Sequence, residues 1–164
     1  MKSELQDMIN DCTAELADIN HRISRMPPLD KGKTYYTQYA LIKACGTLEY
    51  VYRSIVADYF SQFGIPQIET YLEKDIRNGS MSATYDNMKK LLKRFDESWS
   101  DLFTTKVLAH ENGQRLISSA KSIVNNRHQF AHGKTPTATF SDIQQYYSDA
   151  LILVGIVDET INVE

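Results

Sequence analysis

The feature that most constrains this chain is its hydrophobic spacing, which is helical almost from end to end and nowhere alternates as a half-buried strand would. Proline and glycine punctuate that pattern instead of interrupting it. Pro27-Pro28 stop a first amphipathic helix over about residues 2–25, and a loop "PPLDKGK" follows. A longer helix spans about residues 35–63, with Leu41, Ala44, Cys45, Leu48, Tyr52, Ile55, Tyr59 and Phe63 as its apolar positions, and Gly64 and Pro66 end it. A short helix over 67–77 stops at Asn78-Gly79. Ser80 or Ser82 is placed to cap the next helix, "MSATYDNMKKLLKRF". Residues 96–110 read as helical with a break. "NGQRLISSAKSIVNNRHQFAH" then runs to Gly133, a residue suited to the left-handed position after a helix. Ser141 with Gln144 has the spacing of a capping box for a last helix reaching about residue 160. The expectation is an all-α bundle of about five to six helices, built as one domain over 1–164.

With 164 residues, 42% hydrophobic and 24% charged, such a chain is long enough to bury one sizeable core. Its most apolar run, "ALILVGIV", is far short of the roughly 20 residues a bilayer requires, so no membrane partner is expected. The polar, acidic start "MKSELQDMIND" is unlike a secretory signal, which points to the cytoplasm. Cys12 and Cys45 lie in helical patterns and read as buried free thiols. A net charge of −3 argues against coating nucleic acid by bulk attraction. The charge is segregated, however. After Lys134 there is no Lys or Arg but five acids, and basic runs such as "KKLLKR" permit a local phosphate-binding patch.

One charge breaks the amphipathic pattern. On a wheel of the helix before Gly133, Leu116, Ile117, Ala120, Ile123, Val124 and Ala131 share one side, opposite Ser118, Ser122, Asn125 and Gln129. Arg127 lies near the centre of the apolar side. A buried guanidinium without a partner is prohibitively costly, so it requires a carboxylate, an interface or an anionic ligand. Glu49 occupies the apolar face of the long second helix and has the opposite need. A structural Glu49–Arg127 bridge between two core helices, with no chemistry, is one reading. His128 and His132, at i and i+4, border the same face. They admit three readings. A metal pair lacks a third ligand nearby, and none is assigned. Helix-end histidines can simply favour the negative end of the dipole. The third reading is acid–base work beside a phosphate-binding arginine, since imidazole as a class titrates near neutral pH.

At these residues the sequence resembles the HEPN superfamily, and within it the small RiboL-PSP-HEPN-like single-domain proteins. The shared signature is Arg127, four intervening residues, then His132 followed by Gly133, preceded by a long helix with an embedded acid, "ACGTLEYVYRSIVADYF". One departure is His128, where the family often carries Asn directly after the arginine. The resemblance implies a bundle of long antiparallel helices that dimerises through the motif-bearing helices. It implies a metal-independent, cofactor-free endoribonuclease of a prokaryotic toxin–antitoxin or antiphage-defence system, with a cognate antitoxin or effector as a further partner. Arg127 and His132 would be catalytic and Glu49 would orient Arg127. His128 and Asn126 would support the site, while Lys134 and Arg53 would contact RNA and Tyr52 would line the same cleft. The alternative within the superfamily is a catalytically silent module that binds RNA or nucleotide, or only dimerises.

Overall fold

The computed structural model describes residues 1–162, among which there are seven α-helices and no strand. They are α1 (Ser3–Arg25), α2 (Lys31–Ser61), α3 (Pro66–Tyr71), α4 (Tyr85–Phe95), α5 (Glu97–Ala109), α6 (Gly113–Ala131) and α7 (Phe140–Ile161). A π-helical turn, Leu72–Arg77, continues α3. The extra helix relative to the expected five to six is α5. The break read in 96–110 falls at its start, where Asp96 turns extended and its carboxylate accepts the Ser98 N–H at 2.7 Å.

Long-range contacts fix the direction of the long helices. Lys2 reaches Asp58 at 2.9 Å and Glu15 reaches Lys43 at 2.7 Å, so α1 and α2 run antiparallel. The Tyr147 hydroxyl meets the Ile9 carbonyl and the N-terminal amine meets Asp158, which sets α7 antiparallel to α1. Asp149 accepts from Ser119 at 2.7 Å and pairs with Arg115, while Asn126 reaches the start of α7, so α6 and α7 are antiparallel too. The helix α2 passes through the middle, against α1, α6, α7 and the π-turn. Its residues 51–57 are buried on every side. That is why its periodicity looks blurred: a helix covered all round has no polar face to display.

Several helix starts differ from those the sequence suggests, each for a tertiary reason. The helix α2 begins four residues early because Asp30 caps it, accepting the Gly32 N–H at 2.7 Å. Thr84, not Ser80 or Ser82, caps α4. The carbonyls of Gly79, Met81 and Ser82 are already held by Arg53 and Tyr52, which keeps that stretch out of the helix. At α7 the capping box is Thr139 with Asp142 rather than Ser141 with Gln144, because Phe140 is buried and sets the first turn. Two residues on expected apolar faces are exposed, Phe63 (58%), which lies past the end of α2 at Ser61, and Ala131, the last residue of α6. Both cysteines are buried and free.

Candidate functional site

The last two turns of α6 carry the motif, and the core holds them from one side. Leu116, Ala120, Ile123 and Val124 are sealed against neighbouring helices, as their wheel positions require. Arg127, one turn beyond Ile123, reaches across to α2, where its Nη2 donates to Glu49 Oε1. The two side chains keep 27% and 16% of their surface. The pair is thus formed but not sealed. One edge of the guanidinium is occupied by carboxylate, and part of the group stays reachable from solvent.

Cys45 lies one turn before Glu49, and its thiol donates to the Ile123 carbonyl at 3.6 Å. Burial pushes this thiol up to about 12, with the Glu49 charge adding to the effect and Arg127 opposing it. It stays protonated and serves as packing between the two helices, not as a nucleophile.

Beyond Arg127 the helix ends on a hydrogen-bonded cap. His132 is the capping residue, and its N–H donates to the carbonyls of His128 and Gln129. Gly133 follows in the left-handed region (φ 72°), a conformation that side chains with a Cβ rarely adopt. Its N–H donates to the Phe130 carbonyl at 3.0 Å and the Lys134 N–H donates to the Gln129 carbonyl at 2.9 Å. These two bonds are the Schellman pattern, which fixes the chain direction just past the motif. His128, His132 and Lys134 are all exposed on this end. A rigid backbone therefore carries exposed imidazoles close in sequence to a half-anchored guanidinium.

Asn126 lies elsewhere than a ligand-facing role requires, and Arg53 faces away from the α6 motif. Asn126 is buried, and its Oδ1 accepts the N–H groups of Thr137 and Ala138, each at 3.0 Å. Its amide donates to the Ser122 carbonyl at 2.9 Å. The side chain straps the α6–α7 connection, a duty invisible in sequence because any polar amide beside the motif looks equally available for a ligand. Arg53 is 8% exposed and turns toward the loop after the π-turn, with its Nε donating to the Glu49 backbone carbonyl at 2.8 Å. Tyr52 is fully buried, and its hydroxyl donates to the Met81 carbonyl at 3.0 Å. Among the described residues no group of three or more His, Cys, Asp or Glu side chains is placed to hold a metal ion, and no helix is long and apolar enough to cross a membrane.

An all-helical bundle that presents an arginine and a histidine at the end of a late helix, with an acid from a long central helix beside the arginine, defines a HEPN-type domain. A family model described as RiboL-PSP-HEPN matches residues 7–163, and the chain belongs to that family. No curated protein and no solved structure matches it. Membership points to an RNA-related role.

Proposed function

We propose that this chain, acting as one domain over 1–164, is a metal-independent endoribonuclease that works as a homodimer in a prokaryotic toxin–antitoxin or antiphage-defence system. The observation that carries this reading is the pairing of Arg127 with Glu49 at the rim of the core, which fixes the arginine while leaving it reachable. His132 follows, exposed on a capped helix end. In the reaction, His132 takes the proton from a ribose 2′-hydroxyl and O2′ attacks the adjacent phosphorus. The P–O5′ bond breaks, and the copy of His132 in the second chain returns a proton to the departing oxygen. Arg127 neutralises the charge that builds on the phosphorane oxygens. The ends left are a 2′,3′-cyclic phosphate and a 5′-hydroxyl, and DNA is not cut. His128 and Lys134, exposed on the same helix end, contact the strand.

The test is purified protein with end-labelled RNA in EDTA. Cleavage is expected with chelator present and lost in both His132→Ala and Arg127→Ala. Cleavage that persists in both variants, or that appears only with added metal, overturns the reading. Toxicity on expression, lost in the same variants, checks it independently. One observation favours the silent alternative: Glu49 already neutralises Arg127. Retention of RNA without any cleavage in the same experiment would select that binding module instead.

A further inference from the structure

On the other side of Glu49 the bundle holds a second basic feature. A cleft of about 440 Å³ opens between α2, the π-turn, the loop after it and α4. Three cations line it, Arg53, Lys74 and Arg94, against one carboxylate, Asp75. The excess is local, since the chain as a whole carries −3. Ser80 and Asn87 add hydroxyl and amide groups to the wall.

Arg53 forms the floor, and it is the least expected of these groups. Its side chain is among the buried charged residues, yet among the described residues its protein partners are two carbonyls and no carboxylate. Nε donates to the Glu49 carbonyl and Nη1 to that of Gly79. A guanidinium has five donors, so Nη2 is left over. That atom is not sealed in, because among the described residues the one buried side-chain polar atom lacking any partner is Ser54 Oγ. A full positive charge thus sits in the floor of the cleft, hydrogen-bonded to carbonyls alone and with one edge open to the cleft. Burial on those terms costs free energy unless an anion completes the shell.

The surrounding loop is held to keep that shape. Tyr52 and Asn87 hold the Met81 and Ser82 carbonyls, with Asn87 Nδ2 at 3.0 Å from the latter. Gly79 permits the close pass over the π-turn, since a Cβ there would lie 2.6 Å from the Asp75 carbonyl oxygen. The mouth is framed by Lys74 and Arg94, both exposed, and Arg94 is steadied by donating to the Tyr71 hydroxyl at 2.8 Å.

We propose that this cleft is a phosphate site, in which the free edge of Arg53 meets the phosphate oxygens from below while Lys74 and Arg94 close over them. A planar fork beneath and two exposed cations above suit a tetrahedral anion, and the volume falls within the roughly 300–1,000 Å³ of small-ligand sites. The phosphate comes either from a nucleotide's terminal monoester or from the diester backbone of a strand. This assignment stands whether or not the motif on α6 cleaves RNA.

The experiment is calorimetric titration at low salt of wild type, Lys74→Ala/Arg94→Ala, Arg53→Lys, and Lys121→Ala as a control for removing an exposed α6 charge. The probes are dAMP, deoxyadenosine and an unphosphorylated deoxyoligonucleotide. None of these has a 2′-hydroxyl, so binding is read apart from any cleavage. dAMP should bind wild type and Lys121→Ala alike and deoxyadenosine should not bind. Affinity should fall about tenfold or more in the Lys74/Arg94 double variant. Arg53→Lys, which keeps the charge but loses the fork, should lose several-fold while its circular dichroism stays native. Binding of the oligonucleotide with the same dependence assigns the site to backbone diesters, and binding of dAMP alone assigns it to terminal monoesters. No phosphate-dependent binding, or a double variant equal to wild type, overturns the proposal.

Discussion

Glu49→Gln is the substitution that most sharply tests how Arg127 is held. It keeps side-chain length and an oxygen acceptor while removing the charge that faces the guanidinium. Exposed ion pairs contribute about 0.2–1 kcal/mol, whereas breaking a fully buried pair costs about 3–5 kcal/mol. With 16% and 27% of the two side chains accessible, this pair lies between those limits. Solvent can reach Arg127 when its partner is lost, which caps the penalty, so about 1–2 kcal/mol is expected. For a chain of this length that lowers Tm by roughly 2–8 °C. Arg127→Met, which keeps the aliphatic stem, completes a double-mutant cycle read by urea denaturation. The coupling should be about 1–2 kcal/mol and should survive 1 M salt in large part, since partly buried charges are screened less than exposed ones. Strictly additive effects, within about 0.5 kcal/mol, would refute the pairing as an energetic unit.

The same variant separates binding from catalysis. In the proposed reaction the Glu49 carboxylate would repel an incoming phosphate while fixing the arginine that receives it. Glu49→Gln should therefore bind RNA as tightly as wild type or more tightly, yet cleave it about tenfold or more slowly, because a loosened positioning group costs rate before affinity. Equal cleavage by Glu49→Gln and wild type would remove Glu49 from the site and leave it as a core ion-pair partner.

Asn126→Ala leaves the N–H groups of Thr137 and Ala138 without an acceptor and should cost about 2–3 kcal/mol, with faster hydrogen exchange at those two amides. Asn126→Asp keeps the acceptor and should lose less. Gly133→Ala forces a Cβ into the left-handed region and should cost about 1 kcal/mol in urea denaturation, while Gly133→Asn should cost less. The Asp142 carboxyl is held below its usual value by the Thr139 hydroxyl and then the Thr139 N–H, so it stabilises the fold while ionised. The stability difference between wild type and Asp142→Ala should be constant from neutral pH down to the ordinary aspartate range near pH 4, then close as pH falls through the lowered value.

Much of this was legible in the sequence, for identifiable reasons. Helix bodies follow from spacing and from Pro27, Pro28, Gly64 and Gly133, because those residues constrain the backbone whatever surrounds them. The Glu49–Arg127 contact, across 78 residues, follows from two wheels, because a charge on an apolar face has few ways to be satisfied. The starts of α4 and α7 were not legible. Ser80, Ser82 and Thr84 offer the same capping chemistry within five residues, as do Thr139 and Ser141 within three. What selects among them is Tyr52, Arg53 and the burial of Phe140, all tertiary. Ala131 and Phe63 mark a second limit. A wheel reports which way a residue points but not whether a neighbouring helix extends far enough to cover it.

The turn of α2 from Glu49 to Arg53 joins two cations through one residue in two different ways. Arg127 is bound by the Glu49 carboxylate, whereas Arg53 is bound by the Glu49 backbone carbonyl. A side-chain substitution at position 49 releases the first and leaves the second in place. The two regions are therefore mechanically close and genetically separable. If a strand runs across both, Glu49→Gln should alter cleavage at the α6 end without changing dAMP affinity in the cleft. Lys74→Ala/Arg94→Ala should do the reverse, weakening anion binding while leaving the Arg127 coupling energy intact. Were both readouts to move together in either variant, the shared turn would be acting as one rigid lever, and Arg53 would belong to the positioning of Arg127 instead of to a site of its own.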